Sequence, residues 1–147
     1  MSTYRLDISA NKSELARRAS SLLAEQITST LTDKNRCQVA LSGGSTPQEA
    51  YSILTQKNIP WGLVDVFLGD ERWVPPDDKL SNSLMIRESF LSKMSGEKAS
   101  FYPVPTTGEC KTPEDSALAF SKLLQSICDG SPPIFDLVLL GLGDDGH

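Results

Sequence analysis

Short apolar runs alternate with helix-like segments along this sequence, and this alternation limits the possible folds more than any other feature. Strand-like runs rich in Val and Leu lie at residues 37–42, 64–68, 101–104 and 135–140. Segments with apolar residues at helical spacing lie at residues 13–31, 47–55, 81–91 and 113–127. Because strands that alternate with helices form parallel sheets covered by those helices, the sequence predicts an α/β fold. The expected architecture is an open, mostly parallel sheet with flanking helices, of Rossmann-like type.

Three of the strand-like runs end in loops dense with Gly, Asp, Ser and Thr. The loops read SGGST at residues 42–46, GDER at residues 69–72 and GLGDDGH at residues 141–147. Open α/β sheets bind their ligands at the carboxyl ends of the strands. We therefore expect the three loops to face one crevice.

The first loop has the composition of an anion-binding turn. Gly43 and Gly44 allow the backbone to approach an anion closely, while Ser45 and Thr46 add hydroxyl donors at the start of the next helix. The dipole of that helix favours negative charge at its N-terminus. No GK[ST] motif follows, so the loop is not a Walker loop. The alternative is a tight strand-to-helix turn with an ordinary Ser or Thr cap.

The second loop places three charges directly after a buried strand. Asp70 or Arg72 could face a polar substrate, and the Arg fork suits phosphate because it can bind two oxygens at once. Asn82 and Arg87, at the start of the next helix, could add a hydrogen bond and a second cation. The alternative is a surface patch of salt bridges.

The third loop contains His147, the single histidine of the chain. Asp145 lies two residues before it and could orient the imidazole, which suits general-base activation of water. The alternative is an exposed or structurally bonded ring. The glycines also match G-x-G-x-x-G, but a dinucleotide site belongs in a βαβ unit with an acidic residue farther on, so we discount a nicotinamide site.

Charge and cysteine content exclude several classes of function. The net charge is -5 and no Lys/Arg cluster occurs, so nucleic acid is an unexpected partner. Three cysteines, an odd number at wide spacing, indicate free and mostly buried thiols rather than a disulfide framework or a zinc site. The apolar runs are too short to cross a membrane. The chain starts with a polar stretch, and the cytoplasm is the expected location.

Taken together, the motifs LSGGSTP, GDERWVP followed by SN, and GLGDDGH resemble the three signature stretches of the 6-phosphogluconolactonase family, in order and over nearly the whole chain. That family belongs to the glucosamine/galactosamine-6-phosphate isomerase superfamily. The related glucosamine-6-phosphate deaminases are similar in fold and in the Asp-Gly-His turn, but have a different second loop.

The resemblance implies hydrolysis of 6-phospho-D-glucono-1,5-lactone to 6-phosphogluconate in the oxidative pentose phosphate pathway. It implies His147 as the general base, Asp145 as its orienting partner, and no metal or organic cofactor. Arg72 would help to neutralise the phosphate. The remaining implied substrate contacts are Gly43, Gly44, Ser45, Thr46, Asp70, Asn82 and Arg87.

Family members continue well beyond the Asp-Gly-His turn, so we expect residues 1–147 to form a single, incomplete α/β domain that is truncated at its C-terminus. Two alternatives to the lactonase stay open. One is an isomerase or deaminase acting on amino-sugar phosphates, and the other is a non-catalytic fragment that binds sugar phosphates.

Overall fold

The structure is a computed structural model that describes residues 4–146. Within this range, four parallel strands form one sheet in the order β3-β2-β1-β4. The strands are β1 (Cys37–Leu41), β2 (Val64–Leu68), β3 (Ser100–Tyr102) and β4 (Leu137–Val138). The helices are α1 (Lys12–Asp33), α2 (Ser45–Leu54), α3 (Asn82–Ser89) and α4 (Pro113–Ile127). Two short 3₁₀ turns lie at Trp61–Leu63 and Leu91–Lys93. The predicted α/β class with a parallel sheet and flanking helices is confirmed.

The edge strand β4 is shorter than its sequence predicts. The apolar run covers residues 135–140, but only Leu137 and Val138 form strand, opposite Val39 and Ala40 of β1. Backbone hydrogen bonds from Asp136 to Gln38 and from Leu139 to Ala40 continue the alignment on either side. No strand lies on the outer side of β4 in the described range. Backbone hydrogen bonds therefore hold β4 from the β1 side only, and the rest of the apolar run forms loop.

Helix α1 begins with a capping box. The Asn11 side chain accepts a hydrogen bond from the Glu14 N–H at 2.9 Å, and the Glu14 carboxylate accepts one from the Ala10 N–H at 3.1 Å. These reciprocal bonds satisfy backbone donors that the first turn leaves without partners. Leu23 and Ile27 then place the apolar face of α1 in the core.

The core lies between the sheet and helices α1, α2 and α3. Strands β1 and β2 are buried along their whole length, so both of their faces are covered. On the helix side, Trp61 meets Phe90 edge to face at 5.3 Å between ring centroids, and Phe90 also contacts Tyr51. On the other side, Phe67 stacks on Tyr102. In contrast, α4 buries only Ser116 among its residues.

The cysteines are free thiols, as their odd number and wide spacing predicted. All three cysteines are free; Cys37 and Cys128 are buried and Cys110 is partly exposed. Burial raises the pKa of the Cys37 thiol to about 11, so this group stays a neutral thiol near pH 7. Across residues 4–146, no helix is both long and apolar enough to cross a membrane.

A buried carboxylate lies near the start of β2. Asp65 is 1% exposed and is bound by two nitrogens of Arg36, at 2.9 and 2.5 Å, and by the Gln38 amide at 3.1 Å. Burial raises the pKa of the Asp65 carboxyl, but the hydrogen bonds from Arg36 and Gln38 outweigh burial, so its pKa lies below the ordinary value. The ion pair with Arg36 therefore compensates the negative charge that β2 buries within the sheet.

We expect Arg36→Met to lower the free energy of unfolding by about 2–4 kcal/mol at pH 7, because Asp65 keeps its buried charge and loses its cation. The lower part of this range is favoured because the Arg36 side chain is 40% exposed. Since the folded pKa of Asp65 is depressed, the deficit is fully present above about pH 4 and shrinks as pH falls below it. Urea unfolding of wild type and variant at pH 7 and pH 3.5 measures this.

Arg17→Met, on the exposed side of α1, is the matched control and should change stability by less than about 0.5 kcal/mol. Equal effects of the two substitutions would contradict the ion pair's role in stability.

Candidate functional site

A cleft of about 830 Å³ opens at the carboxyl edge of the sheet, and the three predicted loops line it together. The first loop contributes residues 42–47, the second contributes Gly69, Asp70 and Arg72, and the third contributes residues 139–144. The start of α1 closes one side through Lys12 and Leu15. The sequence-based expectation of one shared crevice therefore agrees with the structure.

The first loop turns sharply into α2. Gly44 is the residue immediately before α2. Its φ of +109° is a conformation that residues with a side chain rarely adopt. No side chain caps this end of α2 within the described residues, and Pro47 has no N–H to contribute. Ser45 and Thr46, the first residues of α2, line the cleft. The helix thus presents an uncapped N-terminus to the cleft, which is a favourable place for an anion.

Tyr51 holds the end of β1 from behind. Its hydroxyl donates to the Ser42 carbonyl at 2.7 Å and accepts from the Ser42 N–H at 3.1 Å. Tyr51 is fully buried, and burial raises the pKa of its hydroxyl, so the group stays protonated and keeps donating. One side chain therefore satisfies both backbone groups of Ser42 and fixes where the first loop begins.

Ser42 lines the cleft, but its hydroxyl oxygen is buried. Ser42 is 9% exposed and lines the cleft, and its Oγ has no hydrogen-bond partner among the described residues. A Cβ placed on Gly141 in the third loop would lie 4.0 Å from this Oγ. Sequence reasoning did not single out Ser42, which directly follows the buried strand β1.

Glu71 organises the second loop. Its carboxylate accepts hydrogen bonds from the N–H groups of Arg72, Asn82 and Ser83 at 2.7 to 2.8 Å, and from the Ser81 hydroxyl at 3.2 Å. Burial raises the pKa of Glu71, but the hydrogen bonds from Ser83, Arg72 and Asn82 outweigh burial and lower it overall. Sequence reasoning missed Glu71, because its role depends on the distant start of α3.

Asp70 and Arg72 flank Glu71 and remain open to the cleft. Their side chains are 62% and 55% exposed, and the Arg72 Nε to Asp70 Oδ2 distance of 3.9 Å is long for an ion pair. Such an exposed pair contributes little to stability. Both side chains are therefore available to a ligand.

Two predicted substrate contacts lie outside the cleft lining. Asn82 is buried, donates to the Asp70 carbonyl at 3.1 Å, and packs against Gly43, where an added Cβ would come within 2.1 Å of its Oδ1. Arg87 is exposed, and its guanidinium lies over the Phe101 ring at 5.6 Å. Asn82 thus joins the first loop to the second, and direct substrate contact by either residue stays a prediction.

The third loop brings a second glycine-rich backbone to the same edge. Asp144 lines the cleft, and the Gly146 N–H closes a turn on the Gly143 carbonyl at 2.9 Å. Asp145 lies within this turn. The predicted general base, His147, lies outside the described residues. The pairing of Asp145 with His147 therefore stays a prediction.

The fold and the cleft define an open α/β protein with its candidate site at the carboxyl ends of parallel strands. The family model described as glucosamine-6-phosphate isomerases/6-phosphogluconolactonase matches residues 10–147. A curated relative from Synechocystis sp., named 6-phosphogluconolactonase, is 37% identical over 146 residues, covering 97% of this chain and 60% of the relative. The chain belongs to the glucosamine-6-phosphate isomerase/6-phosphogluconolactonase family, as its three motifs predicted.

Solved structures agree with this assignment. The structure of 6-phosphogluconolactonase from Trypanosoma brucei matches with a TM-score of 0.80 and 31% identity, covering 96% of this chain and 60% of that one. A monomeric glucosamine-6-phosphate deaminase matches with a TM-score of 0.75 and 22% identity, covering 95% and 55%, and so shares the fold. The chain spans about 60% of the length of the curated relatives from Synechocystis and Nostoc.

We expect Tyr51→Phe to destabilise the protein by about 1–3 kcal/mol, because the N–H and carbonyl of Ser42 lose their partner inside the core. Urea unfolding measures the change, and amide hydrogen exchange at Ser42 should accelerate more than exchange in α1. Tyr4→Phe, at a residue that is 88% exposed, is the control and should be neutral. Unchanged stability in Tyr51→Phe would remove this hydroxyl from the support of the loop.

We expect Glu71→Gln to cost about 1–2 kcal/mol at pH 7, because a neutral amide accepts the three N–H bonds less strongly than a carboxylate. The folded pKa of Glu71 is depressed, so its contribution is complete above the unfolded value, about 4.3, and is lost as pH falls through the folded pKa. The difference in the free energy of unfolding between wild type and variant should therefore be smaller at pH 3.5 than at pH 7.

Glu88→Gln, on the exposed side of α3, provides the comparison and should leave the curves unchanged at both values of pH. A Glu71→Gln deficit that does not depend on pH would contradict the role of its charge.

Proposed function

We propose that this chain forms the substrate-binding part of a 6-phosphogluconolactonase, which hydrolyses 6-phospho-D-glucono-1,5-lactone to 6-phosphogluconate in the oxidative pentose phosphate pathway. The observation that carries the proposal is the uncapped start of α2 facing the same cleft as Arg72. The named relatives at 32 to 37% identity support the choice of substrate.

The phosphate end of the substrate is assigned to the first loop. Gly43 and Gly44 line the cleft without side chains of their own, and phosphate oxygens can approach the N-terminus of α2 beside them. The hydroxyls of Ser45 and Thr46 add donors, and Arg72 approaches from the second loop with a guanidinium that can bind two oxygens. Asp70, beside Arg72, accepts a hydrogen bond from a sugar hydroxyl in this proposal.

The reacting end is assigned to the third loop. His147 takes a proton from water as the water oxygen adds to the lactone carbonyl carbon, and Asp145 orients the imidazole. The tetrahedral intermediate then releases the ring oxygen, which regains a proton and becomes a hydroxyl of 6-phosphogluconate. This chemistry needs positioning, a base and oxyanion stabilisation, so no metal or organic cofactor is expected.

An amino-sugar-phosphate isomerase or deaminase is the second candidate. Its support is the shared fold of the glucosamine-6-phosphate deaminase structure. The named relatives favour the lactonase instead. A fragment that binds sugar phosphates without catalysis is the remaining alternative. The cytoplasmic location and the absence of nucleic-acid partners stay predictions.

The decisive assay measures loss of freshly generated 6-phosphogluconolactone above its spontaneous hydrolysis. It should be run on this chain and on a chimera that continues after residue 147 with the segment of the Synechocystis relative beyond the matched region. We expect the chimera to be active, and His147→Ala in it to lower kcat by about 10²–10⁴. Near-normal turnover in that variant would remove His147 from the mechanism.

Ammonia release from glucosamine-6-phosphate, measured on the same proteins, discriminates the deaminase. An inactive chimera that still binds 6-phosphogluconate would favour a protein that binds sugar phosphates without catalysis. An inactive chimera that releases ammonia would overturn the lactonase.

A further inference from the structure

Lys12 reaches the anion-binding loop from a distant part of the sequence. It is the first residue of α1, directly after the Asn11 cap, and its Nζ donates to the Ser45 hydroxyl at 3.0 Å across 33 positions of sequence. It also lines the cleft with Ser45 and Thr46. Lys12 therefore places an ammonium group beside the start of α2.

The first turn of a helix is an unfavourable position for a lysine side chain unless its ammonium group contacts an anion. A cation in the first turn of a helix meets the positive end of the helix dipole, which costs a fraction of a kcal/mol at an exposed site. In the described range, no carboxylate lies within ion-pair distance of Lys12, whereas Arg72 has Asp70 nearby at 3.9 Å. One of the three Lys12 donors is used by Ser45, and two remain.

The two cations of the cleft match the charge of a phosphate dianion. The lining contains two cations, Lys12 on the side of the first loop and Arg72 on the side of the second loop. It also contains two carboxylates, Asp70 beside Arg72 and Asp144 in the third loop. A phosphate monoester carries close to two negative charges near neutral pH, because its second pKa is about 6. Without Lys12, the α2 N-terminus would meet a phosphate with hydroxyl and N–H donors and only one full positive charge.

We propose that Lys12 is a specificity-determining residue that binds the phosphate group of the substrate together with the start of α2, using the donors that Ser45 leaves free. This inference rests on the proposed function. Lys12 binds a part of the substrate remote from the reacting carbonyl, so its contribution is to affinity for the phosphorylated ligand and not to the proton transfers.

The test compares two ligands that differ only in the phosphate. Isothermal titration of this chain with 6-phosphogluconate and with D-gluconate gives the preference for the phosphorylated compound. Lys12→Gln removes the charge and keeps a donor for Ser45, while Lys12→Arg keeps the charge. Lys122→Gln, at an exposed lysine on α4 outside the cleft, is the matched control.

We expect Lys12→Gln to weaken 6-phosphogluconate binding about ten- to hundredfold, to leave D-gluconate binding unchanged, and to reduce the salt dependence of 6-phosphogluconate binding. Lys12→Arg and Lys122→Gln should stay close to wild type. Equal affinity of wild type and Lys12→Gln for 6-phosphogluconate would overturn the role of Lys12 and leave the proposed phosphate site standing. Equal weakening of both ligands would also overturn it, because that result marks a structural role. A wild type without preference for the phosphorylated ligand would overturn the proposed phosphate site, and this inference with it.

Discussion

Parallel pairing of β1 with β2 and β4 is the constraint on which the rest of the structure depends. In a parallel sheet every strand ends at the same edge, so the loops that follow these strands meet there regardless of their separation in sequence. The in-register alignment from Cys37 opposite Val64 to Leu41 opposite Leu68 brings the first and second loops out side by side. The apolar content of the strands, which requires burial on both faces, thereby determines where the polar chemistry lies.

The cleft is supported mainly by groups that do not line it. Tyr51 holds the end of β1 through both backbone groups of Ser42, and Glu71 ties the second loop to the start of α3. Each is a polar group whose burial is acceptable because its hydrogen bonds replace those to water. A site built on such supports keeps its donors in place before a ligand arrives, which limits the ordering that binding requires.

Local patterns in the sequence predicted most of the fold and the location of the site. Strand β2 follows from its apolar run, and the convergence of the three loops follows from the rule that parallel strands end at one edge. Three features depend on long-range geometry that no local pattern encodes: the Ser45 contact of Lys12, the α3 contacts of Glu71, and the turn of Arg87 toward Phe101. The short β4 belongs with these, because its length depends on what flanks it and not on its own residues.

The tight contact between Gly43 and Asn82 links the substitutions that the first and second loops can tolerate. Any side chain at position 43 would collide with the Asn82 amide, whose own donor holds the Asp70 carbonyl. A larger residue at 43 is therefore compatible only with a smaller one at 82, and that exchange sacrifices the bond to the second loop. The two positions are therefore epistatic, because the effect of a substitution at residue 43 depends on which side chain occupies residue 82. A change in one loop thus alters which changes the other loop tolerates.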